Sequence, residues 1–337
     1  RFHRPRSSDR RRHRDGVGPV VAGQVGNIGR VVDGDRGHDP RDVADVVRAA
    51  AIRQAGQRAG AVLAEGEPVA IPTETVYGLA ADATNPDAIS RIYEMKGRPR
   101  FNPLISHVSD MAMAEAHVHF DPVSRQLAEA FWPGPLTLIL RQRADSTVHA
   151  LASAGLDTLG IRMPDGFSRR VIARFGRPLA APSANTSGKI SPTSAAHVEA
   201  DLGGKLKLIL DAGQAQIGLE STIIKVDGDE IRLLRPGGLD AAEIERLLGR
   251  PVIRPETAGA TIEAPGMLAS HYAPGAAVRL DAAEVHAGEA LIRFGGNRIA
   301  GEEQAAIVLD LSPTGNLREA AANLFDYMKR ADASGAE

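Results

Sequence analysis

The chain has 337 residues, with 40 lysines and arginines against 42 aspartates and glutamates, and it contains no cysteine. This length predicts two domains, and the net charge of −2 disfavours a protein whose main partner is nucleic acid. The absence of cysteine excludes disulfides, thiolate metal sites and cysteine nucleophiles, and no apolar run reaches the roughly 18 residues that span a membrane. We therefore expect a cytoplasmic protein without a membrane partner and without a protein-built metal site.

The first 41 residues differ in composition from the rest of the chain. Seven arginines fall within the first fourteen positions, and stretches rich in glycine and aspartate follow without apolar periodicity. Because such a segment cannot bury a core, we predict that residues 1–41 are disordered. A non-native start, a solvated basic tail and an RNA-contacting arm are all compatible with this composition.

Regular apolar patterns begin at residue 42. The spacing predicts a helix over residues 42–64 and a second over 85–95, with Gly97 just past its end. Short apolar runs, typical of buried strands, predict strands over 69–71, 104–108, 136–140, 159–163, 179–181, 206–210, 221–224 and 231–234. This alternation predicts an α/β domain with a mixed sheet over residues 42–249.

A stretch rich in proline and glycine follows at residues 250–275, and we interpret it as a linker. Beyond it, the pattern predicts buried strands over 277–280, 290–294 and 306–309 and a closing helix over 317–329. A small second domain is therefore expected over residues 276–337. No strand follows its helix, so we expect a shortened sheet with an open edge.

Hydroxyl side chains follow the strand at residues 69–71. Thr73 and Thr75 flank Glu74, and Tyr77 with Gly78 predicts a tight turn. Hydroxyls at a strand end suit a small polar substrate, whereas the simpler interpretation is a turn with capping threonines.

Three cations then stand within five residues, at Lys96, Arg98 and Arg100, in a loop stiffened by a proline. Point charges and a guanidinium held in this way suit a polyphosphate, although a solvated basic loop has the same composition. His107, on the following strand, either faces the same cleft or has a structural role.

A third polar segment spans residues 182–189 and continues to Ser191 and Thr193. Its small hydroxyl residues and glycine are typical of an anion-binding nest, or of a merely polar loop. The sequence has neither the P-loop pattern nor the dinucleotide-binding glycine pattern, so an ATP site here would be of another kind. Arg162 lies inside an apolar strand, where a charge either reaches the surface or binds an anion.

These motifs occur in one order, and together they resemble the YrdC/Sua5 family of threonylcarbamoyl-AMP synthases. The segments that carry the resemblance are Pro72-Thr-Glu-Thr-Val-Tyr-Gly-Leu79, Lys96-Gly-Arg-Pro99, Asn102-Pro-Leu104, Ser183-Ala-Asn185, Ser221-Thr222 and Leu234-Arg-Pro-Gly237. Residues 264–274 resemble the linker that joins the catalytic and C-terminal domains in that family. The resemblance covers residues from about 45 to 337 and leaves the first 40 or so unmatched.

The resemblance implies a twisted mixed α/β sheet with a basic cleft, followed by a small Rossmann-like C-terminal domain. It implies that L-threonine is surrounded by Thr75, His107, Arg162, Ser183 and Ser221. It also implies that ATP is held by Lys96, Arg98, Asn102, Thr158, Asn185, Thr193, Arg235 and Tyr272, with Tyr272 on a lid formed by the linker. Lys96 and Arg98 would be catalytic, and Mg²⁺ would accompany ATP without dedicated protein ligands.

The implied reaction is a nucleotidyl transfer that joins L-threonine, bicarbonate or CO2, and ATP into threonylcarbamoyl-AMP and pyrophosphate. The product would pass to the enzymes that modify adenosine 37 of tRNA, and we expect weak or no direct tRNA binding. Two other functions compete with this one. Carbamoyl transfer, as in hydrogenase-maturation proteins with a related domain, is disfavoured because those proteins carry cysteine zinc fingers. An RNA-binding module is disfavoured by the balanced charge.

Overall fold

A computed structural model describes residues 20–22, 40–254, 263–267 and 272–336, with side chains described from residue 51 onward within these ranges. Most of the segment predicted to be disordered, 1–41, lies outside the described residues. Where it is described, Val20–Ala22 forms a strand and residues 40–41 begin a helix, so the prediction is wrong there. Three apolar residues are too few to show periodicity, and an existing strand supplies their hydrogen-bond partners.

The helices are α1 (Pro40–Ala64), α2 (Pro86–Lys96), α3 (Met111–Glu115), α4 (Pro122–Phe131), α5 (Phe167–Phe175), α6 (Ala195–Leu202), α7 (Ala241–Leu248) and α8 (Leu317–Ala333). The strands are β1 (Val20–Ala22), β2 (Val69–Ile71), β3 (Gly78–Asp82), β4 (Ile105–His107), β5 (Val118–His119), β6 (Leu136–Gln142), β7 (Thr158–Arg162), β8 (Leu179–Ala180), β9 (Leu208–Leu210), β10 (Thr222–Asp227), β11 (Glu230–Arg235), β12 (Ala290–Arg293) and β13 (Ile307–Asp310).

The predicted mixed sheet is confirmed. In the part of the chain that the structure describes, eleven strands form one sheet in the order β1-β9-β2-β3-β8-β4-β7-β6-β10-β11, with β5 also paired to β6. β4 runs parallel to β7, and β6 runs parallel to β10, whereas β8 is antiparallel to β4. The parallel pairs bring the ends of β4 and β7 to the same edge, which becomes one wall of the site.

α2 begins and ends where its sequence signals predict. The Asn85 side chain accepts hydrogen bonds from the N–H groups of Asp87 and Ala88. Gly97 follows the last turn with a φ of 59°, the left-handed conformation that glycine adopts most readily. The chain therefore turns sharply after Lys96, and the basic loop that follows is set against the start of β4.

The sequence did not predict β3. A turn was expected at Tyr77 and Gly78, but Gly78 is the first of five buried strand residues that pair with β2 and β8. Its composition, Gly-Leu-Ala-Ala-Asp, is poor in the β-branched and aromatic residues that mark strands. As a result, Thr73 and Thr75 lie in a connection between two antiparallel strands.

The predicted linker over 250–275 is partly attached to the sheet, while 255–262 and 268–271 lie outside the described residues. The N–H of Ile253 donates to the carbonyl of Ile231 over 2.7 Å, and the Ile253 carbonyl accepts from Leu233 over 2.9 Å. Residues beside β11 therefore cover this edge of the sheet before the chain leaves it.

The second domain contains the parallel pair β12 and β13, followed by α8. The prediction of a buried strand over 277–280 is wrong, because Val278 is 61% exposed, Leu280 is 79% exposed, and no described strand pairs with them. A strand needs a neighbour to satisfy its backbone, and apolar composition alone does not provide one. Among the described helices, none has both the length and the apolar character that crossing a membrane would require.

Candidate active site

A cleft of about 510 Å³, counted with its open mouth, lies beside the ends of β4, β7 and β10. Three arginines, a histidine, a glutamate and four hydroxyl side chains contribute to its lining: Arg98, Arg162, Arg235, His107, Glu220, Thr73, Thr75, Ser183 and Ser221. The cleft is therefore polar and rich in cations, as the resemblance implied.

All five residues expected around L-threonine line this cavity, namely Thr75, His107, Arg162, Ser183 and Ser221. His107 and Arg162 are register neighbours on the parallel strands β4 and β7. The Thr75 hydroxyl accepts a hydrogen bond from Nη1 of Arg162 over 2.9 Å. The fold thus brings together residues that lie up to about 150 positions apart in the sequence.

The sequence left open whether Arg162 reaches the surface or binds an anion, and the structure shows it buried and ion-paired. Its Nη2 lies 2.5 Å from Oε1 of Glu74, and its Nε donates to the Gly134 carbonyl over 3.2 Å. The other Glu74 oxygen accepts from the N–H of Asp165. Each terminal nitrogen of a guanidinium carries two hydrogens, so both Nη1 and Nη2 keep one hydrogen for a bound carboxylate.

His107 is a neutral acceptor at the cavity wall. Its Nδ1 lies 3.2 Å from the Ile105 carbonyl, which can only accept, so this geometry assigns the proton to Nδ1. Burial, and next the charge of Arg162, lower the pKa of His107 to about 3. Nε2 therefore offers a lone pair to a ligand at neutral pH.

The two threonines divide the roles that the sequence left open. The Thr73 hydroxyl donates to the Val76 carbonyl over 2.6 Å, as a turn-capping residue does. Thr73 Oγ1 therefore accepts from Thr75 Oγ1, which lies 2.9 Å away. The Thr75 proton is committed to this bond, so its oxygen presents only acceptor capacity to the cavity.

Arg98 lines the same cavity as Glu220, whose charge acts on it. Its guanidinium donates to the carbonyl and side-chain oxygens of Asn102 and to the Pro103 carbonyl over 2.7–3.1 Å. Arg162 pairs with Glu74 and Arg235 pairs with Glu220, whereas these hydrogen bonds of Arg98 go to uncharged oxygens. Burial lowers the pKa of Arg98 to about 10, which leaves it charged at neutral pH. Its charge is therefore available to an anion.

Lys96 does not line the cavity. Its side chain is 1% exposed, and its Nζ donates to the carbonyls of Ser183 and Asn185 over 2.5 Å each. Burial, and next the charge of Arg98, lower its pKa to about 7. Asn185 in turn donates to the carbonyls of Thr186 and Lys189. In this structure, Lys96 and Asn185 hold the loop after β8, and their contact with ATP stays a prediction.

Four further residues expected on ATP are also absent from the described cavity lining. Asn102 braces Arg98, and Thr193 lies within 3.3 Å of the His197 ring. Thr158 begins β7, whose last residue is Arg162, so it stands at the far end of that strand. Tyr272 lies on the linker, described below. Their roles toward ATP stay predictions.

The linker supplies part of the cavity wall. Pro265 lines the cavity, and Gly266 has a φ of 93° with no room for a Cβ, which would lie 2.6 Å from Cδ of Arg235. Tyr272 adjoins Glu220, and its ring lies 5.1 Å from that of Phe325 on α8. Burial first, and then the Glu220 carboxylate, raise the pKa of the Tyr272 phenol.

Two carboxylates that pair with cavity arginines, Glu74 and Glu220, were not among the residues expected at the site. Both belong to motifs that the sequence displays, and the available signal was the need of a buried arginine for a counter-charge. In the described parts of the chain, no three His, Cys, Asp or Glu side chains cluster as metal ligands.

Two family models match the chain. The Sua5, YciO and YrdC model, described as telomere recombination, matches residues 61–237. The model of the threonylcarbamoyl-AMP synthase C-terminal domain matches residues 239–337. The chain therefore belongs to the Sua5/YciO/YrdC family and carries a Sua5-type C-terminal domain, which confirms the resemblance seen in the motifs.

Individual relatives of known name support the same family assignment. The chain is 46% identical over 225 residues to the threonylcarbamoyl-AMP synthase of Pyrococcus abyssi, covering 65% of this chain and 66% of that protein. It is 41% identical over 291 residues to the Bacillus subtilis threonylcarbamoyl-AMP synthase, covering 82% and 84%. The crystal structure of P. abyssi Sua5 complexed with L-threonine matches with a TM-score of 0.72 at 38% identity, covering 85% of this chain and 86% of that one.

Proposed function

We propose that this chain forms threonylcarbamoyl-AMP and pyrophosphate from L-threonine, bicarbonate or CO2, and ATP. The observation that carries the proposal is the cavity itself, where Arg98, hydrogen-bonded to uncharged oxygens, adjoins five side chains suited to a hydroxy amino acid. Two relatives named threonylcarbamoyl-AMP synthase, at 46% and 41% identity, and a related structure that holds L-threonine support it.

In this proposal Arg162 receives the threonine carboxylate through its two remaining N–H groups. His107 Nε2 and the Thr75 oxygen are acceptors, and they suit the amine or hydroxyl hydrogens of the substrate. Nearby arginines favour the uncharged amine over the ammonium, because like charges disfavour protonation. The free amine adds to CO2, forming a C–N bond and releasing one proton to solvent. We assign no general base.

The carbamate oxygen then attacks the α-phosphorus of ATP, and the bond to pyrophosphate breaks. Two anions must approach, and unit charges 4 Å apart repel by about 4 kcal/mol at an effective dielectric constant of 20. Arg98, which stays charged at neutral pH, offsets this repulsion. Mg²⁺ enters as part of MgATP, where it would neutralise phosphate charge. The step makes the chain a nucleotidyltransferase.

Lys96 contributes indirectly in this proposal. It fixes the Ser183 and Asn185 carbonyls, and so positions the loop that carries the Ser183 hydroxyl toward threonine. Asn102 has a similar role toward Arg98. Of the two residues expected to be catalytic, only Arg98 lines the cavity, and Lys96 acts as a positioning residue.

We further propose that the product serves the threonylcarbamoyl modification of adenosine 37 in tRNA. The labile carbamate requires a site that excludes water, and the linker wall at Pro265 suits that need. The downstream partners are then transfer enzymes that accept an acyl adenylate, in the cytoplasm. Direct tRNA binding is expected to be weak or absent.

The test is pyrophosphate release from ATP, measured with and without L-threonine and bicarbonate. We expect release only when both are present, and a 10- to 100-fold fall in kcat/KM for Arg98→Ala, as expected for about 1.5–3 kcal/mol of charge-assisted bonding. Arg125→Ala, which removes an exposed guanidinium paired with Glu115, is the matched control. A folded, ATP-binding protein without threonine-dependent release would refute the proposal, and salt-dependent RNA binding would be measured next.

A further inference from the structure

Glu220 lines the cavity immediately before β10, and the proposed reaction gives it no part. Its side chain is buried, with a relative exposure of 8% for the residue. A carboxylate in a cavity that receives a carbamate and a triphosphate opposes their binding by charge repulsion. Its presence there is therefore explained only if the carboxylate does something that outweighs this repulsion.

The Glu220 carboxylate joins three separate segments of the chain. Oε1 accepts from the Ser191 hydroxyl over 2.6 Å, in the loop after β8. Oε2 accepts from Nη1 of Arg235, at the end of β11. The Tyr272 phenol, on the linker, lies beside both Glu220 and Arg235. One buried anion is thus shared by the loop, the sheet and the linker.

Arg235 transmits this arrangement to the threonine side of the cavity. Its Nε and Nη2 donate to the Ser221 carbonyl over 3.0 and 2.8 Å, and Nη2 also donates to the Ser221 hydroxyl over 3.0 Å. Ser221 Oγ also lies 2.8 Å from Oγ1 of Thr137. The position of the Ser221 hydroxyl therefore depends on Arg235, and the position of Arg235 depends on Glu220.

The backbone around Glu220 leaves little freedom for rearrangement. Its carbonyl accepts from the N–H of Gly238 over 2.8 Å. A Cβ on Gly237 would lie 2.2 Å from that carbonyl oxygen, so the backbone at Gly237 packs directly against the backbone at Glu220. Gly266 of the linker abuts the Arg235 side chain in the same way. Glu220 is therefore held rigidly enough to position its partners.

We propose that Glu220 is a positioning residue that holds Arg235 against Ser221 and, with the same carboxylate, holds the Tyr272 phenol of the linker. The inference rests on the proposed function for the identity of the substrate. It makes the position of the Ser221 hydroxyl depend on the contact between Glu220 and Tyr272.

The experiment measures the Kd of L-threonine by titration calorimetry in the full chain. Glu220→Gln keeps the shape and removes the charge, and we expect it to weaken binding about 10- to 100-fold through loss of a charge-assisted bond to Arg235. Tyr272→Phe should weaken binding on its own but add little in the Glu220→Gln background, because the shared partner is already lost. Glu302→Gln, which removes a carboxylate paired with Arg293 in the C-terminal domain, should leave Kd unchanged.

Wild-type binding separates this inference from the proposed function. If the wild-type chain binds no threonine, the proposed function fails. If it does bind, a wild-type Kd in Glu220→Gln, or additive losses in the double variant, would overturn the positioning role. Should Glu220→Gln fail to fold, Ser191→Ala removes one donor to the carboxylate while keeping its charge. A loss of affinity that is non-additive with Tyr272→Phe would support the proposal, and additive losses would overturn it.

Discussion

Replacing Glu74 by glutamine isolates the ion pair that fixes Arg162 in the cavity. The two side chains are 11% and 4% exposed, and Nη2 lies 2.5 Å from Oε1. The substitution keeps the shape of the side chain and leaves the guanidinium without its counter-charge. It should therefore lower the stability of the free protein and increase its demand for an anionic ligand.

The magnitude follows from the burial of the pair. Removing one partner of a buried ion pair usually costs about 3–5 kcal/mol, because the other charge is left uncompensated. The glutamine oxygen can still accept from Nη2, and a hydrogen bond of this kind contributes about 1 kcal/mol. We expect the free energy of unfolding to fall by about 2–4 kcal/mol. L-Threonine should restore more of this loss than it adds to the wild-type protein.

The assay is urea unfolding followed by tryptophan fluorescence. Trp132 is the only tryptophan in the sequence, and it is buried in the core of the domain that carries the ion pair. Its signal therefore reports on the relevant domain without interference from the second. Glu67→Gln is the matched control, since Glu67 pairs with Lys207 and Arg91 at the surface, where solvent screens the interaction.

Equal losses in Glu74→Gln and Glu67→Gln would refute the reasoning, because burial would then have made no difference. A larger loss in Glu74→Gln that threonine does not selectively restore would show that Arg162 matters for folding but does not receive the carboxylate.

Two further predictions concern the loop after β8 and the contact with the second domain. Protonated Lys96 donates charge-assisted hydrogen bonds to the Ser183 and Asn185 carbonyls, and these bonds weaken when the amine becomes neutral. Because its pKa is lowered to about 7, kcat/KM should fall as pH rises through about 7. Arginine keeps its charge to much higher pH, so Lys96→Arg should move the fall in kcat/KM to higher pH. An unchanged pH profile would contradict the positioning role of Lys96. Gly218 has a φ of 73°, and a Cβ there would lie 2.5 Å from the Ala322 carbonyl of α8. Gly218→Ala should therefore disturb the packing of α8 and make the linker more sensitive to limited proteolysis. Gly213→Ala is the control, because Gly213 also has a positive φ, of 85°, but has open space around the added Cβ. Equal cleavage of the two variants would refute the contact.

Much of the architecture followed from the sequence because it depends on local rules. Asn85 and Gly97 set the ends of α2, and most of the short apolar runs became strands. β3 was not predicted because Gly-Leu-Ala-Ala-Asp has low strand propensity. Its pairing with strands on both sides stabilises it in the structure. Residues 277–280 were wrongly predicted to form a strand, because they are apolar but pair with no described strand.

At the site, the sequence by itself determined which residue types are present, and the motif order determined the family. It placed Thr75, His107 and Ser221 at one cavity, as the structure has them. What only the tertiary structure decided is how charge is distributed there. Lys96 is turned toward loop carbonyls. Glu74 and Glu220 form ion pairs with Arg162 and Arg235, and Arg98 is hydrogen-bonded to uncharged oxygens of Asn102 and Pro103. The reason is physical: whether a buried charge is paired depends on groups within about 4 Å in space, and distant strands and loops supply those groups.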